Sequence, residues 1–173
     1  MGVFKIASAL LVEPYFLAHV ARKGKPIILS TGMATLAEVD EAVRVIRGTG
    51  NDQIVLLQCT TDYPAKVEYA NLCAMQTMKS CFGLLVGYSD HTETDTACIL
   101  SIGLGAKVIE KHFTLDKNLK GPDHSASFDP AEFRRMVIAV RDAEKALGCP
   151  WKQPGACEMT NLVFMRRSIV AKC

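Results

Sequence analysis

The sequence predicts an α/β fold that forms part of a (β/α)8 (TIM) barrel, about five β–α units from its carboxyl-terminal side plus a linker. Three observations carry this. Strand-like and helix-like runs alternate, with strand starts roughly 23–30 residues apart. The strand runs are apolar without clean alternation, as in a parallel sheet covered on both faces. Polar side chains fall at strand carboxyl ends: Ser8, Ser30, Thr60, Thr61, Ser89, His91 and His112. A five-stranded doubly wound sheet competes, and 173 residues suit it better than a closed barrel of roughly 250. Such a sheet concentrates ligand contacts at one switch point, whereas a barrel collects them from every strand around one mouth. The polar placement therefore favours a partial barrel over residues 1–148, with about three units expected upstream.

The elements follow in order. Phe4-Lys5-Ile6-Ala7 reads as a strand and Pro14 to Arg22 as a helix. Pro26-Ile27-Ile28-Leu29-Ser30 is a second strand. Thr35 with Glu38 forms a capping box for a helix whose Leu36, Val39, Ala42, Val43 and Ile46 share one face. Ile54 to Cys59 is the third strand, followed by a polar loop through Tyr63-Pro64 and a helix near 71–80. Leu84 to Ser89 is the fourth strand, 94–104 a helix, and Lys107 to Phe113 the fifth strand. A long loop, Thr114 to Phe128, precedes the last helix. Asp129, Pro130 and Glu132 supply its cap, first turn and capping box. Phe133, Met136, Val137, Val140 and Leu147 form its apolar face. From 149 to 173 no strong period remains, and Arg166 to Lys172 looks like the start of a connection.

Composition narrows the function classes. Hydrophobic residues make up 49% and charged residues 22%, an ordinary globular balance. A net charge of +2 without a long basic run argues against nucleic acid or a membrane surface as partner. No apolar stretch approaches the roughly 18 residues of a membrane span. The amino-terminal residues lack a signal-peptide pattern. Met1-Gly2 opens like a myristoylation site, but Ile6 stands where Ser or Thr is needed. Seven cysteines without a C-x-x-C pair read as free thiols in a reducing cytoplasm, with a Cys149–Cys157 disulfide around a Pro-containing loop as the alternative.

The candidate chemistry lies in two triplets, Ser89-Asp90-His91 and Glu110-Lys111-His112, each closing a strand. Strand alternation puts Ser89 with His91 and Glu110 with His112 on the same side. Two imidazoles with open positions beside them suit a divalent ion such as Mn2+ or Zn2+ acting as a Lewis acid; unrelated, hydrogen-bonded core histidines are the alternative. Ser8, Ser30, Thr31, Thr61 and Ser89 offer hydroxyls to a phosphate, or else cap helices. Lys5 inside an apolar strand needs an anionic partner. Asp123, in Gly121-Pro122-Asp123-His124, either receives substrate hydroxyls or belongs to a turn. His19 reads as a surface group and Cys59 as a small packed hydrophobe.

At these residues the chain resembles the sialic acid synthase (N-acetylneuraminate synthase) family. The matching stretches include Phe4–Ser8, Ile28–Met33, Leu57–Pro64, Gly87–Thr92, Gly105–Asp116 and Gly121–Ser127. The resemblance implies a (β/α)8 barrel followed by an antifreeze-like domain, in a domain-swapped homodimer. It implies condensation of phosphoenolpyruvate with N-acetylmannosamine, or a related amino sugar, with release of phosphate. By resemblance His91 and His112 hold the metal, usually Mn2+, and Lys5, Ser8, Ser30 and Ser89 bind phosphoenolpyruvate, with Thr61 near the phosphate. Tyr63, Glu110 and Asp123 contact the sugar and carry the catalytic roles. Leu10 stands near a place where family members often carry an acidic residue. The first strands and the antifreeze-like domain have no counterpart here. A truncated, inactive fragment that serves only as a binding module is therefore the second expectation.

Overall fold

The computed structural model describes residues 2–167. Five parallel strands form one sheet in sequence order: β1 (Phe4–Ile6), β2 (Ile27–Ser30), β3 (Ile54–Cys59), β4 (Leu85–Asp90) and β5 (Ile109–Lys111). The intervening helices are α1 (Pro14–Ala21), α2 (Leu36–Arg47), α3 (Ala74–Phe82) and α4 (Thr96–Gly103), with α5 (Pro130–Leu147) after β5. Sequential neighbours all along the sheet mean that it winds in one direction, which excludes the doubly wound order.

The sheet is strongly curled. Lys5 on β1 and Glu110 on β5 are separated by four strand spacings, roughly 19 Å if the sheet were flat. Their side chains nevertheless meet at 3.3 Å. The edge strands therefore face one another across a half-barrel interior.

Alternation sorts the two faces. Ile27, Leu29, Ile54, Leu56, Val86 and Tyr88 point to the helices and are buried there with Leu17, Val43, Ile46, Met75 and Cys98. This helix-side layer is the main core. The opposite parity gives Lys5, Ser30, Leu57, Cys59 and Ser89, which line the concave side. Gly87 belongs to this inner series. A Cβ there would lie 2.3 Å from the Val108 carbonyl oxygen, so glycine lets β5 close against β4.

Both expected capping boxes form, Thr35 with Glu38 on α2 and Asp129 with Glu132 on α5. Local patterns succeed because cap and third residue are neighbours in the chain. The expected apolar faces are narrower than periodicity suggests. Met136 and Val140 of α5 are buried, but Val137 and Leu147 are exposed, as is Leu36 at the first turn of α2. Periodicity identifies a shared helix face and does not say how much of it a neighbour covers. β5 is also shorter than the expected run, because the chain leaves the ladder after Lys111 to pair with the loop at Phe128.

The stretch expected as a linker carries α6 (Met159–Met165), a helix too short for a period to show. Of the expected connection Arg166 to Lys172, the part from 168 lies outside the described residues. Cys149 and Cys157 are free thiols, as are Cys59, Cys73, Cys81 and Cys98. Among the described residues no helix is long and apolar enough to cross a membrane.

Candidate active site

The registers bring the two histidine triplets side by side. Ser89 pairs with Glu110 and Asp90 with Lys111 across parallel β4 and β5. One residue further, the same register sets His91 beside His112. Their ring centroids are 5.2 Å apart with an interplanar angle of 75°. Loop backbones hold both ends: Ala65 N–H donates to the His91 carbonyl and Phe128 N–H to the His112 carbonyl, each at 2.9 Å.

The His91 ring is oriented by its surroundings. Nδ1 lies 2.7 Å from the Thr60 carbonyl oxygen. A carbonyl only accepts, so Nδ1 carries a proton and, in the neutral ring, Nε2 keeps the lone pair. The Cys59 thiol is 3.9 Å from the same nitrogen. Burial works against charge on both groups, but their mutual contact outweighs it, so Cys59 lies below and His91 above its ordinary pKa. Cys59 is buried, as expected of a small packed side chain, and its thiol also contacts this ring. Tyr63 covers the pair, its ring 4.2 Å from that of His91 and 5.6 Å from that of His112. Burial first, and then the neighbouring Cys59, Asp123 and Glu110, push its phenol above the ordinary range.

Beside the imidazoles lies a polar cluster. Ser89 Oγ donates to Glu110 Oε1 at 2.7 Å, and Lys5 Nζ is 3.3 Å from Glu110 Oε2. Lys5 has the anionic partner that the sequence demands, but its side chain is 35% exposed rather than buried. It projects from the edge strand into the open concavity.

Three further groups surround Gly32. Its N–H donates to Ser8 Oγ at 2.9 Å. A Cβ at Gly32 would fall 2.3 Å from Thr61 Oγ1, 2.9 Å from Ser8 Oγ and 3.3 Å from Cys59 Sγ. Only glycine lets these groups converge. Ser30 Oγ is buried without any hydrogen-bond partner in the protein. Buried hydroxyls are as a rule hydrogen-bonded, so this one is an exception at the wall of the cleft.

One cleft of about 250 Å³ is lined by Lys5, Ser8, Ser30, Thr61, Tyr63, Ser89, His91, Glu110 and His112, together with Ala7, Ala9, Met33 and Cys59. Asp123 stands at its edge on the 114–128 loop, Oδ2 3.9 Å from His112 Nδ1. Lys5, Ser8, Ser30, Thr61, Tyr63, Ser89, His91, Glu110 and His112 are gathered in this cleft, and Asp123 beside it. Two expected hydroxyls are not. Thr31 turns to the helix side and donates to the Leu57 carbonyl, and Thr60 Oγ1 donates to the Tyr69 carbonyl. Thr31 follows from alternation, since its neighbour Ser30 faces inward. His19 is exposed, as expected.

The donor set sets limits on a metal. Among the described residues no group of three or more His, Cys, Asp and Glu side chains is arranged to hold an ion. The chain offers two imidazoles. With metal–nitrogen bonds of about 2.1 Å, two rings on one ion at roughly right angles have centroids about 4.5–5.3 Å apart. The 5.2 Å ring spacing lies within that range.

The polar groups thus gather at the carboxyl rim of a curled parallel sheet, the end at which barrel folds carry their sites. The profile of the NeuB family matches residues 1–152, and the chain belongs to that family. It is 52% identical over 98% of its length to an uncharacterized protein of Methanocaldococcus jannaschii, covering 50% of that protein. It is 46% identical over 99% of its length to the N,N'-diacetyllegionaminic acid synthase of Campylobacter jejuni, covering 52% of it. Among solved structures, an N-acetylneuraminic acid synthetase from Leptospira borgpetersenii in complex with citrate superposes with a TM-score of 0.86 at 34% identity, over 95% of this chain and 57% of that one. The chain spans about half the length of the curated relatives it matches.

Proposed function

We propose that this chain carries the anion-binding and metal-binding half of a synthase that condenses phosphoenolpyruvate with N-acetylmannosamine or a related N-acetylated amino sugar. The observation that carries the reading is the convergence of Lys5, Ser30, Ser89, Glu110, His91 and His112 on one cleft. The relatives named for legionaminic acid and N-acetylneuraminic acid support the reaction class and leave the sugar open.

In this reading Lys5 and the hydroxyls of Ser8, Ser30 and Thr61 bind the phosphate and carboxylate of phosphoenolpyruvate. Ser30 Oγ, unpartnered in the protein, gains its acceptor from the ligand. His91 and His112 hold a divalent ion, Mn2+ by resemblance, which supplies Lewis-acid polarisation of the sugar aldehyde. Glu110, held by Ser89 and Lys5, orients a sugar hydroxyl and accepts a proton. Asp123 receives further hydroxyls from the loop side, and Tyr63 walls off water above the imidazoles. The enol carbon bonds to the aldehyde carbon and the aldehyde oxygen takes a proton; water adds to the resulting oxocarbenium carbon, losing one proton to Glu110, and phosphate leaves with the enol oxygen as the new hydroxyl loses its proton to solvent and becomes the keto oxygen. In this reading 1–148 is the barrel portion of the synthase and the stretch after it serves as a linker. The working assembly is a cytoplasmic homodimer.

The test is phosphate release from phosphoenolpyruvate with Mn2+ and either N-acetylmannosamine or a diacetylated amino sugar. It is run on this chain and on a chimera that takes its remaining length from the Campylobacter jejuni relative. Turnover by the chimera that falls about 100-fold in Glu110→Gln is expected. No turnover with any amino sugar of this class overturns the synthase reading.

A further inference from the structure

The middle members of the two triplets, Asp90 and Lys111, take no part in the chemistry above. Alternation turns them away from the cleft, and there they meet at 2.8 Å with side-chain exposures of 0% and 1%. Lys111 Nζ also donates to the carbonyls of Thr92 and Thr94, immediately past His91. Asp90 accepts in addition from Tyr88 O–H, Thr92 N–H and the Cys98 thiol. The Phe128 ring lies over the ammonium, 4.2 Å from its centroid, and the same residue's N–H holds the His112 carbonyl. One ammonium thus links the Asp90 side chain before His91 and the backbone carbonyls after it to the residue that anchors His112.

β5 needs such an anchor. It is three residues long, partly exposed throughout, and paired on one side only. A slip of one residue along β4 would turn His112 to the other face, and a slip of two would carry it about 6.6 Å along the strand. Either slip strips Lys111 from a buried carboxylate, which an uncompensated charge resists. Buried ion pairs are poor sources of net stability, and fixing register is their best-attested use.

We infer that the buried Asp90–Lys111 pair is a positioning element that sets the His91–His112 separation by locking the register of β5 on β4. It rests on the metal reading above. Lys111 and Asp90 are positioning residues: neither lines the main cleft, and the space they border beside His91, His112 and Asp123 is only about 10 Å³.

The test replaces the pair by neutral groups of similar size, Asp90→Asn with Lys111→Met, in the full 173-residue chain. Mn2+ affinity is read by electron paramagnetic resonance, and site geometry by the d–d absorption of bound Co2+. The double variant is expected to keep its circular dichroism spectrum while its Mn2+ dissociation constant rises at least tenfold and the Co2+ bands shift. A folded double variant that binds both ions like the parent overturns the inference. If the parent itself binds neither ion, the metal reading fails, and this inference falls with it. Should the double variant not fold, Phe128→Leu decides. Removing the ring over the ammonium is expected to raise the Mn2+ dissociation constant about threefold, and an unchanged constant overturns the inference.

Discussion

Lys5–Glu110 and Asp90–Lys111 are both lysine–carboxylate contacts between strands, at 3.3 and 2.8 Å. The first spans the open concavity between the two edge strands, its side chains 35% and 38% exposed. The second joins adjacent strands on the helix side, where water does not reach. Water screens the open pair, so its groups can exchange one partner for a substrate at small cost. The closed pair is surrounded by fixed donors and a ring, so its groups have nowhere else to go. Successive residues of β5, Glu110 and Lys111, therefore do opposite work: one face stays available, and the other holds it in place.

The comparison breaks most visibly if the two lysines prove equivalent. Lys111→Ala leaves Asp90 buried and uncompensated, and urea denaturation should show a loss of about 3–5 kcal/mol. Lys5→Ala in the open pair should cost less than about 1 kcal/mol. Equal losses would mean that burial does not separate the pairs. Glu110→Gln keeps the shape and removes the charge. It should lower phosphate release by the chimera about 100-fold, with a thermal midpoint within a few degrees of the parent.

Gly32→Ala sharpens the picture of the open side. The new methyl group crowds Thr61 and Ser8. Inorganic phosphate or phosphoenolpyruvate affinity, followed by calorimetry, should fall about tenfold, with a stability loss of about 1–3 kcal/mol from overpacking. Unchanged affinity would remove these hydroxyls from the anion site.

The smallest effect concerns acid. Hydrogen bonds from the Glu132 and Ala131 backbones hold the Asp129 carboxyl below its usual range. A lowered folded pKa means that its stabilisation is present above the unfolded value and is lost as pH falls through the folded one. Asp129→Asn keeps a cap oxygen without the charge. Its denaturation midpoint should depend less on pH than the parent's between neutral and acid solution, and an identical pH profile would rule out that contribution.

Much of this was legible in the residues. The histidine triplets, the capping boxes at Thr35 and Asp129, and the inward series Lys5, Ser30 and Ser89 all follow from alternation or from contacts within four residues of chain. The partners across the fold were not. The sequence shows that Lys5 needs an anion, but Glu110 becomes that anion only because the sheet curls. It shows Thr31 beside Ser30 as another hydroxyl, but not that Thr31 bonds to the Leu57 carbonyl behind the sheet. Val137 and Leu147 read as core and are exposed, since no neighbour covers that part of α5.

By itself, the order of residues determined the alternation of strands and helices, the rim on which polar groups gather, and which side chains share a face. These depend on local backbone geometry, which acts between near neighbours. Only the tertiary structure decided that β1 and β5 face each other, that the two imidazoles lie 5.2 Å apart, and that Asp90 and Lys111 are sealed behind them. Register and curl depend on how distant strands pack, and a buried charge pair becomes visible only when both of its partners are in place.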